Sequence, residues 1–132
     1  MVDHVALSVR DFEASLQFYD ATLSMLGMSR TLHVPSGAWS MAAYGHDNRT
    51  QFFINGLEEG KEFRLAEVQV CLAGGSAGEI RGWYDRCLEM GGQSIEPPTA
   101  HPDWHPGYYG ASVADPSGWR IDACIHNHSQ DQ

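Results

Sequence analysis

The sequence is short of basic residues. Eight Lys and Arg stand against seventeen Asp and Glu, a formal net charge of -9. Holding a phosphate backbone rests on Lys and Arg, so the composition speaks against a nucleic-acid partner. Cysteine is also scarce: Cys71, Cys87 and Cys124 are an odd number, without CxxC spacing and with apolar neighbours. That pattern excludes a disulfide framework or a zinc knuckle and reads as buried thiols. No apolar run reaches the roughly 18 residues of a membrane span. Asp3 and His4 stand where a secretory leader would be basic and then apolar. A cytoplasmic protein without a membrane partner is expected.

What is present is ordinary for a globular chain. With 132 residues, 42% hydrophobic and 19% charged, it is long enough for one domain with a proper core. Val5, Leu7 and Val9 alternate with His4, Ala6 and Ser8, the period of a strand with two different faces. His4 shares the face of small residues, which leaves room beside it. Asp11 then fits a helix N-cap, and Phe12, Leu16, Tyr19, Leu23 and Leu26 recur at helical spacing until Gly27. Strands are expected near Ser29 to Val34, Ala38 to Tyr44 and Gln51 to Ile54, followed by a linker from Asn55 to Lys61.

The opening pattern then returns. Leu65 to Leu72 can be laid over Val2 to Val9, so that Val68, Val70 and Leu72 fall on Val5, Leu7 and Val9, and Glu67 falls on His4. A second helix runs from Ile80 through Trp83, Tyr84, Cys87 and Leu88 into Gly91-Gly92, with strands near Gln93 to Glu96, Tyr108 to Val113 and Arg120 to Ile125. Each half is strand, helix and three strands, and such a duplicated unit needs its twin. The expected organisation is a single α+β domain over 1–128, made of modules 1–57 and 62–128, with 129–132 as a tail.

The stretch from His101 to Cys124 concentrates the chemistry. Asp115-Pro116-Ser117-Gly118 suits a tight turn, since proline presets φ, glycine accepts positive φ and the aspartate can bond the amides that follow. Asp122 sits between Ile121 and Ala123 and must face solvent or have a partner. His101 and His105, interleaved with Trp104, Tyr108 and Tyr109, either line a pocket mouth or pack their loop down. His126 and His128 read as disordered surface in a polar tail.

The opening DHVALSVRDFEASLQFYDATLSMLGM, the later HPGYYGASVADPSG and the closing WRIDACIHN resemble the vicinal oxygen chelate superfamily, the glyoxalase, bleomycin-resistance and extradiol-dioxygenase group. The resemblance covers essentially the whole chain and implies two βαβββ modules curving around a cleft. It implies a divalent metal held by His4, Glu67 and Asp122, with Gln69 the alternative to Glu67 if the repeat is shifted by two residues. The family's fourth ligand place falls in Gln51 to Ile54, where Gln51 is the only polar side chain. One imidazole with two carboxylates suits Mg, Mn, Fe or Ni better than a structural Zn site. No organic cofactor site is read.

Two function classes follow. One is a metal-dependent lyase, isomerase or dioxygenase of the glyoxalase type, acting on a small oxygenated substrate, with Glu67, His105 and Tyr108 as candidate catalytic side chains. The other is a metal-free binding protein of the bleomycin-resistance type, whose cleft aromatics, such as Trp39, Phe53, Trp104 and Tyr108, hold a small molecule by stacking and apolar contact. The missing second histidine favours binding; the retained His4 and Asp122 favour the enzyme. The negative charge fits a cationic ligand slightly better. Free sheet edges and the family's habit of pairing modules across chains imply a homodimer.

Overall fold

The computed structural model describes residues 1–35 and 40–129. The opening alternation becomes β1 (Val5–Ser8), which buries Leu7 and turns Ala6 and Ser8 outward. Asp11 caps α1 (Phe12–Leu23) by accepting the Ala14 amide, a bond that satisfies one of the free donors of the first turn. A 3-10 turn, Ser24–Leu26, ends at Gly27, whose φ of 77° is the left-handed conformation glycine adopts without a steric cost. β2 (Ser29–Val34), β3 (Met41–His46) and β4 (Arg49–Asn55) complete the first module. β3 turns into β4 through Asp47 and Asn48, both at positive φ, as the mirror-image turn matching strand twist requires.

The second module repeats the plan with β5 (Gln69–Ala73), α2 (Ala77–Glu89) capped by Ser76, β6 (Gln93–Ala100), β7 (Tyr109–Ala114) and β8 (Arg120–Ile125). Each module makes its own four-stranded sheet, ordered β1-β4-β3-β2 and β5-β8-β7-β6. In both, the first strand runs parallel to the last and the remaining pairs are antiparallel. The two βαβββ modules are therefore as expected.

Several expected bounds shift. The strand read from Ala38 pairs from Met41, and Ala38 lies outside the described residues. The strand read from Leu65 begins to pair only at Gln69. Leu65 and Val68 project 49% and 42% exposed, and Val68 is not a core position. This changes the repeat: Val5 pairs with Phe52 as Val70 pairs with Ile121, and Val5 stands to the cap Asp11 as Val70 stands to the cap Ser76. Gln69, not Glu67, thus occupies the place of His4. The strand read as Gln93 to Glu96 continues to Ala100 through Pro97 and Pro98, which an edge strand tolerates because an outward position has no ladder bond to lose.

The tail also departs from expectation. His128 stacks on Tyr109 with ring centroids 4.4 Å apart, and its amide donates to the Gly107 carbonyl. His126 sets its ring edge-on to His105 and Tyr108. A Cβ on Gly107 would stand 2.1 Å from the His126 carbonyl oxygen, so glycine is what lets the tail backbone pass this close. Both histidines are ordered by aromatic contact.

The core lies where the helices meet. α1 packs on β2, β3 and β4, α2 packs on β6, β7 and β8, and α2 touches both α1 and the 3-10 turn. Phe18, Tyr19, Leu23, Phe52, Ile80, Trp83 and Ile121 are essentially fully buried there. Each such side chain contributes about 1.5 to 3 kcal/mol of apolar transfer. The turn Asp115 to Trp119 joins the modules. Tyr19 donates its hydroxyl to Asp115 Oδ2, the Arg10 amide donates to Ser117 Oγ at 2.9 Å, and Trp119 Nε1 donates to the Ser8 carbonyl at 2.8 Å. Asp115 Oδ1 also accepts the Ser117 and Trp119 amides, as the turn sequence implied.

Candidate functional site

With the helices on one side of each sheet, the opposite faces of the two sheets differ in chemistry. On the first, His4, just ahead of β1, and the outward β1 residues Ala6 and Ser8 meet Met41 from β3 and Phe53 and Asn55 from β4 in a cleft of about 650 Å³. This lies within the usual size of a small-molecule site. The connection between the modules forms its wall, presenting Leu57, Glu58, Lys61, Glu62 and Arg64. The wall is held at both ends: the Gly56 amide donates to the Ser40 carbonyl, and the Phe63 ring lies under the Arg10 guanidinium and edge-on to Trp119.

His4 sits at the cleft floor with its ring centroid 5.0 Å from that of Phe53. Its Nδ1 lies 2.7 Å from Asp3 Oδ1, and the hydrogen bond with His4, followed by its charge, holds the Asp3 carboxyl below the usual aspartate value. The His4 side chain is half exposed, so a ligand can reach its outer face. The neighbouring Phe53 is partly buried and stands where the module repeat places Asp122 in the other half.

The second face carries a polar network. Asp122 is 1% exposed and accepts from Arg120 Nε at 3.0 Å, Arg120 Nη2 at 3.2 Å and Gln69 Nε2 at 2.7 Å. Arg120 Nη2 also reaches Ser112 Oγ. The hydrogen bond to Asp122 raises the pKa of Arg120 further above its ordinary value. Such a fork-to-fork pair leaves the carboxylate few free lone pairs. Above this network, His101 bonds Glu96 at 2.6 Å and lies flat under Trp104, with centroids 3.7 Å apart. Burial, reinforced by nearby acidic groups, raises the Tyr108 pKa and keeps its phenol neutral.

The candidate residues therefore fall in different places. His4 and Phe53 line the first cleft. Glu67 is exposed ahead of β5 and lines a separate hollow of about 400 Å³ with Gln69 and Arg120; the two hollows share no lining residue. His105 and Tyr108 belong to the loop over the second sheet, and neither lines the larger cleft. Trp104 is 58% exposed and packs on His101, while Trp39 lies outside the described residues. Among the described residues no three His, Cys, Asp or Glu side chains are grouped to hold a metal ion. An oxygen-loving divalent ion needs several such donors around one point. Within one chain the donor set does not fit it.

Two features escaped the sequence reading. Arg120 is the partner of Asp122, and its signal was available, since residues two apart on a strand share a face. Cys71, read as a buried thiol, is exposed beside β8, and its sulfur lies 3.2 Å from that of Cys124. Cys87 is buried as expected.

The model of the Glyoxalase/Bleomycin resistance protein/Dioxygenase superfamily matches residues 1–123. No curated protein matches the sequence. A glyoxalase/bleomycin resistance protein from Albidiferax ferrireducens T118 superposes with a TM-score of 0.81 at 27% identity, over 94% of this chain and 98% of that one. Glyoxalase I from Zea mays gives a TM-score of 0.69 at 22% identity, over 94% of this chain and 45% of that one. A glyoxylase/bleomycin resistance protein/dioxygenase domain from Frankia sp. EAN1pec gives 0.72 at 17%, over 96% and 98%. The last two likenesses bear on the fold alone.

Proposed function

Since the chain belongs to the Glyoxalase/Bleomycin resistance protein/Dioxygenase superfamily, we propose that it is a metal-free binding protein of that family. It holds a small, flat, partly apolar molecule in the cleft floored by His4 and Phe53. The observation that carries this reading is the pair of positions related by the module repeat. Beside His4 stands the phenyl ring of Phe53, and beside Asp122 stand the amide of Gln69 and the guanidinium of Arg120. Where a chelating site would add donors, this chain adds a stacking surface on one face and a charge partner on the other. A planar ligand would lie on the imidazole and phenyl faces, a contact of about 0.5 to 1.5 kcal/mol beyond area burial. Ser8 and Asn55 would fix its polar edge, and the mixed charges of Glu58, Lys61, Glu62 and Arg64 would tolerate either sign at the mouth.

A thermal-shift screen of planar aromatic and non-planar aliphatic compounds of equal size tests the reading. Planar compounds should raise the melting temperature, and Phe53→Ala should remove the gain while keeping the fold. The metal-dependent alternative, with His4, Glu67 and Asp122 as ligands, rests on the retained His4 and Asp122. It would replace the binding reading if Ni, Mn, Fe, Mg or Zn raised the melting temperature of the wild type and both His4→Ala and Asp122→Asn removed that rise.

A further inference from the structure

One end of the first cleft holds two polar side chains that the fold itself does not use. Ser8 ends β1 and Asn55 ends β4, and the parallel register sets them side by side, with Met41 of β3 paired to the other side of Asn55. Their backbone groups are committed: the Ser8 carbonyl accepts from Trp119 Nε1 at 2.8 Å, and the Asn55 carbonyl accepts the Val9 amide at 2.9 Å. Directly after Asn55, the Gly56 amide donates to the Ser40 carbonyl, and a Cβ on Gly56 would stand 2.2 Å from Ser40 Oγ. Both residues are thus pinned where they stand. Among the described residues neither the Ser8 hydroxyl nor the Asn55 carboxamide has a hydrogen-bond partner, and both line the cleft. Asn55 is half-buried there, so an occupant that leaves its carboxamide unpaired forfeits the bonds it could make to water.

The order of side chains along the floor sets the shape of that occupant. Ala6 pairs with Phe53 and Ser8 with Asn55. Two residues along a strand advance about 6.6 Å, so a ring lying on Phe53, over the small side chain of Ala6, reaches Asn55 after one ring and one hydrogen bond. The chemistry of the meeting edge follows from the groups present. A carboxamide offers an N–H donor and a carbonyl acceptor side by side, the arrangement by which asparagine reads the adjacent donor and acceptor of adenine. Its complement on a ring is an N–H next to a C=O. The Ser8 hydroxyl can donate to the same ring oxygen. A carboxylate fits worse, because it brings acceptors alone and the Asn55 oxygen requires a donor. Apart from His4, the chargeable residues of the lining all belong to the exposed wall, and Glu62 and Arg64, 3.7 Å apart, have side chains 83% and 84% exposed. Charges so placed attract weakly, which leaves the neutral pair to decide what binds.

We propose that the first cleft selects neutral planar heterocycles with a cyclic cis-amide edge, the lactam class of the pyridones and pyrimidinones, and that Asn55 is the residue that selects them. The inference rests on the stacking reading of this cleft and adds to it the identity of the bound edge.

The test is a saturation-transfer NMR titration of the whole chain with three single-ring probes: α-pyridone, which carries the edge, N-methyl-α-pyridone, whose donor is blocked, and benzoate, which offers acceptors alone. The unblocked pyridone should bind about tenfold more tightly than either of the others, the worth of roughly one satisfied hydrogen bond. Asn55→Leu removes both groups and Asn55→Asp removes the donor, so each should lower its affinity to that of the N-methyl compound. Circular dichroism confirms that the variants are folded, and Asn55→Asp, which keeps the shape of the side chain, decides the matter if Asn55→Leu disturbs the strand end. Phe53→Ala should remove the binding of all three probes. Equal affinity of the wild type for the three, or undiminished pyridone binding by folded Asn55→Asp, overturns the lactam edge, and loss of that binding in Phe53→Ala would then leave the stacking cleft standing alone. Binding that is indifferent to Phe53→Ala, or no binding of any probe, overturns the stacking cleft and the lactam edge together.

Discussion

Asp122 and Asp115 are both nearly inaccessible carboxylates, and their neighbours give them opposite tasks. Asp122 is matched by a guanidinium, so removing the partner is worse than removing the acid: Arg120→Ala should cost about 2 to 4 kcal/mol in urea unfolding, because it strands a buried charge. Asp122→Asn should cost less, since Gln69 and Arg120 keep a neutral partner. Among the described residues Asp115 is held by the Tyr19 hydroxyl and backbone amides and by no cation. Burial raises its pKa above the ordinary 3.8, against the lowering effect of the Tyr19 hydroxyl and the amides of Trp119 and Ser117. The folded chain therefore holds this proton to higher pH than the unfolded chain does. Stability from this group is greatest below about pH 3.8 and is lost as pH rises through the folded value. Asp115→Asn should flatten that part of the stability profile while keeping an acceptor for the two amides. Unfolding curves at several pH values for both proteins check this, and an unchanged slope would assign it to other groups. His105 is a simpler case. It packs against His126 and lines neither hollow, so His105→Ala should leave binding in the first cleft unchanged and shift stability by no more than about 1 kcal/mol.

Elements made of local signals were legible in the sequence, and those set by long-range pairing were not. Asp11 and Ser76 cap their helices through their own side chains, and Arg120–Ile125 pairs over the whole span its alternation marks. The run from Leu65 to Val68 alternates equally well, yet among the described residues it has no strand partner, because β8 offers partners only from Arg120 onward and so fixes the start of β5 at Gln69. That two-residue slip moved Glu67 out of the position of His4 and put Gln69 beside Asp122. The thiol pair was hidden for the same reason, since adjacency of β5 and β8 is not written in either strand. The turn from Asp115 to Trp119 was legible as a turn but not as a joint between modules. Trp119→Phe tests the joint: it keeps the aromatic contact with Phe63 but leaves the Ser8 carbonyl without its donor. A loss of about 1 to 2 kcal/mol is expected by denaturant titration.

The whole molecule packs its two helices together against the sheets, which end in edge strands β1 and β2 in one and β5 and β6 in the other. Leu65, Val68 and Ile95 are large apolar side chains left half exposed. Such edges and side chains are ordinarily covered. A homodimer should therefore appear in light scattering at micromolar concentration, with a mass about twice 14.6 kDa, and a monomer at that concentration would count against it. The bonds between the modules bear on the chain's continuity. Tyr19, Ser8 and Arg10 on one side and Asp115, Trp119 and Ser117 on the other would still meet if the polypeptide were cut between them. Gly60 lies in the exposed wall of the cleft with nothing within 4 Å of where a Cβ would stand, so a nick there breaks no packing. Co-expressed halves divided at Gly60 should find each other and restore one cooperative unfolding transition, while Tyr19→Phe in one half should weaken their reunion. The duplicated modules would then behave as two complementary fragments of a single fold, each the template on which the other completes itself.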